Sequence, residues 1–201
     1  MKEVCILDYG SGNVGSVFNL IRNMKYKCNV SNDPKIIRKS THIILPGVGS
    51  FGEAIKKIRK KLPLKVIEDE VLNKKKPFLG ICVGMQILAE KGEEFGKHVG
   101  LGWINGQVKK IRAKKLPHIG WNNLLIKKKS LLIDGIQNDD DFYFVNSFHF
   151  EISEKKNIIA NTKYHHPFCS VVQKQNIFGT QFHPEKSQNA GKKLITNFLN
   201  F

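Results

Sequence analysis

The 201-residue chain is poor in cysteine, with four, and Cys5, Cys28, Cys82 and Cys169 show no CxxC spacing. That usage argues against a disulfide framework and for a reduced, cytosolic setting. Long apolar runs are missing too: none approaches the roughly 20 residues a membrane helix needs. The N-terminal stretch Val4-Cys5-Ile6-Leu7 is cut short by Asp8, too brief for a signal-peptide core. A soluble cytoplasmic protein with no membrane partner is expected. Acidic residues are scarce, 17 against 33 Lys and Arg, for a net charge of +16. Such an excess raises the question of nucleic acid. The basic residues nevertheless fall in scattered lysine clusters such as Lys74-Lys75-Lys76 and Lys127-Lys128-Lys129, with no interleaved aromatics to stack bases. Solvated surface that can favour anionic partners is the reading, and nucleic acid is not expected. Metal-ligand patterns are also lacking. His165 and His166 are adjacent and would point to opposite faces of a strand, and His42, His98, His118 and His149 fall at no ligand spacing. The run Asp139-Asp140-Asp141 lacks the glycine and spaced ligands of a calcium loop. No metal site is expected.

What is present is an ordinary globular composition, 41% hydrophobic, suited to one domain, residues 1–201, with a sizeable core. Val4 to Leu7 reads as a buried strand. Val14, Val17, Phe18 and Ile21 then fall at helical spacing, with Asn13 available as a cap. Thr41 to Leu45 is a second buried strand, followed by helices around 53–60 and 64–73. A strand over 77–81 leads into a helix running to about Lys91. From Trp103 onwards strands dominate: 106–111, 121–126, 142–150, 158–163, 169–173 and 178–182. A helix over about 190–200 closes the chain. The alternation predicts an α/β fold with a mostly parallel central sheet flanked by helices and a strand-rich second half.

The most informative stretch is Gly80-Ile81-Cys82-Val83-Gly84-Met85-Gln86. A cysteine between two glycines at a strand-to-helix switch is the thiol version of a nucleophile elbow, whose sharp turn needs angles and close approaches that Cβ atoms obstruct. The position at a helix N-terminus favours the thiolate. A thiol nucleophile needs a base and the base an orienting partner. Gln181-Phe182-His183-Pro184-Glu185-Lys186 offers both: Pro184 biases His183 to extended backbone, so that side chains two apart, His183 and Glu185, share one side.

These two motifs, Gly-x-Cys-x-Gly-x-Gln and His-Pro-Glu, resemble the signature of class I, triad-type glutamine amidotransferases. Asp8-Tyr9-Gly10-Ser11-Gly12-Asn13, Pro46-Gly47-Val48-Gly49-Ser50-Phe51-Gly52 and Pro117-His118-Ile119-Gly120-Trp121-Asn122 narrow the likeness to the glutaminase subunits of imidazole glycerol phosphate synthase. The resemblance runs from Asp8 to the terminal helix. It implies Cys82 as nucleophile, His183 as acid and base, and Glu185 as its support. The backbone N–H groups of Val48 and Val83 are implied as an oxyanion hole, with Gly49, Gln86, Asn146, Ser147 and Phe148 about the substrate glutamine. The family commonly shows His at the place of Asn146, which leaves a backbone contact as the implied one there. Asn13, Trp121, Tyr143 and Lys186 are implied at the partner interface. No cofactor is implied. The implied partner is a (β/α)8-barrel cyclase subunit in a heterodimer that makes imidazole glycerol phosphate and AICAR. A paralogous subunit feeding ammonia to an amidino-sugar pathway for surface polysaccharide would carry the same triad. A hydrolase of another amide and a basic binding module with a relic site are the remaining alternatives.

Overall fold

The computed structural model describes residues 2–201. The first half alternates: β1 (Glu3–Leu7), α1 (Val14–Asn23), β2 (Lys27–Ser31), α2 (Pro34–Lys39), β3 (His42–Gly47), α3 (Phe51–Lys61), α4 (Leu64–Glu68) and β4 (Phe78–Cys82). A single turn, α5 (Val83–Gln86), leads to the short strands β5 (Lys91–Gly92) and β6 (His98–Val99). Strands follow: β7 (Gly106–Lys110), β8 (His118–Asn123), β9 (Leu125–Ile126), β10 (Asp141–Asn146), β11 (Phe148–Ile152), β12 (Ile158–Tyr164), β13 (His166–Lys174) and β14 (Ile177–Thr180). The helix α6 (Gln188–Leu199) ends the order.

The main sheet runs β2-β1-β3-β4-β14-β13-β12-β9. It is parallel from β2 to β14 and antiparallel beyond, four parallel pairings to three. The expected α/β class stands, on a mixed sheet. β3 and β4 are buried at every position, as strands covered by helices on both faces must be. α3 turns Phe51, Ala54, Ile55 and Ile58 inward at helical spacing and leaves its lysines in water. Two smaller sheets, β10-β8 and β11-β7-β5-β6, stand beside the sheet.

Several expected elements differ. The helix predicted to run to Lys91 stops at Gln86, although Ile87, Leu88 and Ala89 are fully buried. The carbonyls of 87–89 are taken by a loop instead, accepting from the N–H groups of Leu101, Ile104 and Gly102 respectively. Gly100 permits this, since a Cβ there would strike the Ala89 carbonyl. The single strand expected over 142–150 is two, because β10 pairs with β8 and β11 with β7 in a different sheet. β2 and α2 carry no expectation at all; Asp33 caps α2 through Lys35 N–H, with Pro34 in the first turn.

His42 of β3 is a buried histidine with a structural part. Its Nδ1 lies 2.8 Å from Thr41 Oγ1 and its ring packs edge-on against Phe198 of α6. Burial, helped by the Lys2 charge, lowers its pKa to about 4. The unfolded chain takes up this proton near 6.5, so stability is complete above that pH and drains as pH falls towards 4. The loss amounts to about 3 kcal/mol across the window. Urea melts from pH 7 to 4 should show this slope in the wild type and a flatter one in His42→Phe.

Candidate active site

The C-terminal ends of β3 and β4 meet where an open α/β sheet binds ligands. Gly47, last in β3, pairs with Cys82, last in β4. Cys82 has φ 55° and ψ −112°, a left-handed strand-to-helix turn that a side chain rarely adopts. The neighbouring glycines permit it: a Cβ on Gly84 would collide with the Leu45 carbonyl, one on Gly80 with the Gly84 carbonyl, and one on Gly47 with the Gly84 nitrogen. The elbow read from the sequence is therefore present. Val83 opens the turn after Cys82, where first-turn amides lack partners within their own helix.

The segment after β14 brings up the candidate base. His183 is buried and its Nδ1 lies 2.8 Å from Glu185 Oε1. The route differs from the expected one. His183 itself is extended, but Pro184–Lys186 form a 3-10 turn, and that turn swings Glu185 back under the imidazole. Burial alone would depress the imidazole pKa, but interaction with Cys82 and with Glu185, by hydrogen bonding and by charge, outweighs it and raises it to about 10. These interactions favour the protonated ring. β10 clamps this segment: His183 N–H donates to the Tyr143 carbonyl, Tyr143 N–H to Ser187 Oγ, and Ser187 Oγ to the His183 carbonyl.

Asn13 does not cap α1 with its side chain, as the sequence suggested. Its Nδ2 donates to Glu185 Oε1 at 3.1 Å, so the same oxygen serves Asn13 and His183. The first βα loop thereby supports the carboxylate. Trp121, Tyr143 and Lys186 form a chain at the rim: Trp121 packs edge-on to Tyr143, and Lys186 Nζ lies 5.6 Å from the Tyr143 ring centre. β8 and β10 place Ile119 opposite Val145 and Trp121 opposite Tyr143, and Ile119, Trp121 and Val145 are exposed. An apolar ribbon thus lies beside the site.

A cavity of about 320 Å³ opens on Cys82. That is the small end of the roughly 300–1,000 Å³ of ligand pockets, a size for an amino acid rather than a polymer. Val48, Gly49, Val83, Gln86, Asn146, Ser147, Phe148, His183 and Lys186 all line it, together with Glu94, Pro117 and Val145. Glu185, Asn13, Trp121 and Tyr143 stand behind or around it. Asn146 turns its Nδ2 to the Phe148 carbonyl, and its buried Oδ1 has no hydrogen-bond partner among the described residues. Its side chain braces the loop that it shares with Ser147 and Phe148.

One cavity residue, Glu94, and one buried neighbour of the Cys82 sulfur, Gln181, are not singled out by the sequence. Glu94 is carried in by the β5–β6 hairpin, and its Oε2 accepts from Phe51 N–H at 2.8 Å. Burial raises its carboxyl pKa, opposed by the Phe51 bond and by His98. Nothing in Glu93-Glu94-Phe95-Gly96 distinguishes it from a solvated hairpin tip. Gln181 is fully buried against the Cys82 sulfur, and only its place two residues before His183 hinted at this.

Comparisons with known proteins identify the family. The model of the glutamine amidotransferase class-I family matches residues 5–200. The imidazole glycerol phosphate synthase subunit HisH 2 of Methanococcus maripaludis is 42% identical over 199 residues, covering 98% of each chain. Subunit HisH of Pelagibacter ubique is 44% identical over 206 residues, covering 98% of this chain and 99% of the relative. In fold, a structure of PurLQS from Thermotoga maritima superposes with a TM-score of 0.79 at 17% identity over 99% of this chain and 98% of that one. The chain belongs to the class I glutamine amidotransferases, among the HisH subunits of imidazole glycerol phosphate synthase.

Proposed function

We propose that this chain hydrolyses glutamine to glutamate and ammonia through a thioester on Cys82, as the glutaminase subunit of an imidazole glycerol phosphate synthase in histidine biosynthesis. The observation that carries the reading is His183, buried beside Cys82 and braced by Glu185 at the end of an amino-acid-sized cavity. Membership among HisH subunits supports the same substrate and pathway.

Cys82 thiolate attacks the side-chain carbonyl carbon of glutamine. The oxygen that becomes negative is met by the N–H groups of Val48 and Val83, both at the cavity wall. The carbon–nitrogen bond breaks as the His183 imidazolium gives its proton to the departing ammonia, leaving a thioester. His183, now neutral, takes a proton from water, whose oxygen attacks the thioester and releases glutamate and thiolate. Glu185 orients the ring and supports its positive charge. No metal or organic cofactor enters these steps. Among the described residues Glu94 is the one carboxylate at the cavity wall, suited to the α-ammonium of free glutamine. Gly49, Gln86, Asn146, Ser147 and Phe148 complete the contact surface.

The ammonia passes to a cyclase subunit, a (β/α)8 barrel in a cytoplasmic heterodimer with this chain. The apolar ribbon of Ile119, Trp121 and Val145, with Tyr143 and Lys186, supports docking at the mouth of the site, since Tyr143 also holds the His183 backbone. Asn13 lies on the same route through Glu185. Hydrolysis without an acceptor wastes glutamine, and Gly47-Val48-Gly49 can turn a peptide plane to complete or withdraw an oxyanion donor. The test is glutamate release by the purified chain alone, with the cyclase, and with cyclase plus its nucleotide ligand. The lone chain should be slow and the liganded complex faster by roughly 10-fold or more. Full activity in the lone chain would favour an independent hydrolase, and no glutamate in any mixture would end the glutaminase reading.

A further inference from the structure

Cys82 Sγ has a neighbour that the triad does not use. Gln181 Nε2 lies 3.6 Å from the sulfur, and Gln181 is completely buried, its backbone N–H tied to the Ser170 carbonyl. On its other side Gln181 Oε1 accepts from Gln86 Nε2 at 2.9 Å, and Gln86 Nε2 also donates to the Phe148 carbonyl at 3.0 Å.

The direction of this chain of amides is fixed from its far end. A backbone carbonyl can only accept, so Gln86 must present its NH2 to Phe148. The second hydrogen of that NH2 then points to Gln181, which must offer its oxygen. Gln181 is left with only its own NH2 to turn towards Cys82. Flipping either amide would set two NH2 groups or two acceptors face to face in a buried site. The sulfur therefore meets an obligatory donor, while the nearest carbonyl acceptor, that of Val145, is more distant at 4.0 Å. A donor of this kind binds a thiolate more strongly than a thiol.

We propose that Gln181 is a catalytic residue whose amide N–H stabilises the Cys82 thiolate, and that Gln86 and the Phe148 carbonyl set its polarity. The proposal rests on Cys82 as nucleophile and extends that reading to a fourth side chain. The same relay ties the sulfur to the Asn146–Phe148 loop that lines the cavity, since Asn146 Nδ2 donates to the same Phe148 carbonyl. Gln181 acts beside the other charged or titratable groups around Cys82: His183 with Glu185 behind it, the buried Tyr9 phenol, and Lys186 and Glu94 at the cavity wall.

The test is the pH dependence of Cys82 alkylation by iodoacetamide, followed by peptide mass spectrometry on the full chain. Cys5 and Cys169 do not interfere, because burial pushes their thiols up to about 12. Gln181→Met keeps the volume and removes the donor. Its alkylation midpoint should rise by about one pH unit relative to wild type, the weight of one charge-assisted bond. An unmoved midpoint in folded Gln181→Met, judged by circular dichroism, overturns the proposal, because a merely structural role would change melting and not the titration. If that variant fails to fold, Gln86→Met removes the group that sets the polarity and should move the midpoint the same way; no movement there overturns the proposal equally. The underlying reading fails separately, if wild-type Cys82 is no more reactive than the buried cysteines.

Discussion

Cys82→Ala should abolish glutamine hydrolysis, by about 10⁴-fold or more, while the assembled synthase should still work from added ammonia. The structure makes this a clean experiment. Cys82 sits at φ 55° whatever its side chain beyond Cβ, and alanine keeps that Cβ. Strain, burial of the backbone and the glycine contacts of the elbow are thus unchanged, and the substitution removes the sulfur alone. The melting temperature should stay within a few degrees of wild type, since apart from its interaction with His183 the sulfur makes long contacts, to Val145 and to Gln181. Cys82→Ser should fail almost as badly, because a hydroxyl in the same place is not deprotonated by the neighbours that suffice for a thiol. Glutamate release by the complex is the measurement, with ammonia-driven product formation as the control for the partner. Normal glutaminase turnover in Cys82→Ala would remove it as nucleophile.

The elbow was legible in the sequence because its constraint is local. Gly80 and Gly84 flank Cys82 within the same strand and turn, and the collisions that a Cβ would make are with the next strand and the turn itself. The His-Pro-Glu pair was legible as a pair and misread in shape: the sequence suggested an extended segment, and a 3-10 turn makes the contact. β1, β3 and β4 announced themselves as unbroken apolar runs, as strands buried on both faces do. β2 did not, because Lys27–Ser31 is an edge strand with no buried position and no alternation. The split of 142–150 at Ser147 was invisible for another reason: β10 and β11 leave for different sheets, and partner choice is not written in either strand. Glu94 and Gln181 belong to the same class of hidden information. Glu94 comes from a hairpin whose residues are ordinary and Gln181 from the His-Pro-Glu segment, where nothing local marks it, and only the assembled sheet shows that one closes the cavity and the other touches the sulfur.

His183→Ala should cost about 10⁴-fold or more, and Glu185→Gln only about 10- to 10³-fold. In the proposed mechanism His183 carries the proton in both halves of the reaction, so its loss would leave neither an acid for ammonia nor a base for water. Glu185 carries none. Its Oε1 accepts from His183 Nδ1 and from Asn13 Nδ2 together. The Asn13 NH2 demands an acceptor, so a glutamine at 185 is driven to turn its oxygen to that point and its NH2 to the side where Oε2 has no partner among the described residues. His183 keeps its hydrogen bond and its orientation, and only the negative charge is lost. That charge is one of the causes that hold the imidazole pKa up at about 10. Removing it lowers that pKa, so the protonated ring needed to expel ammonia disappears at lower pH. The alkaline limb of the pH–rate profile should therefore move down in Glu185→Gln, in addition to the fall in kcat, and it should not move in a surface variant such as Lys155→Gln. Wild-type turnover with an unmoved alkaline limb in Glu185→Gln would place the carboxylate outside the catalytic unit and leave Cys82 and His183 as a dyad.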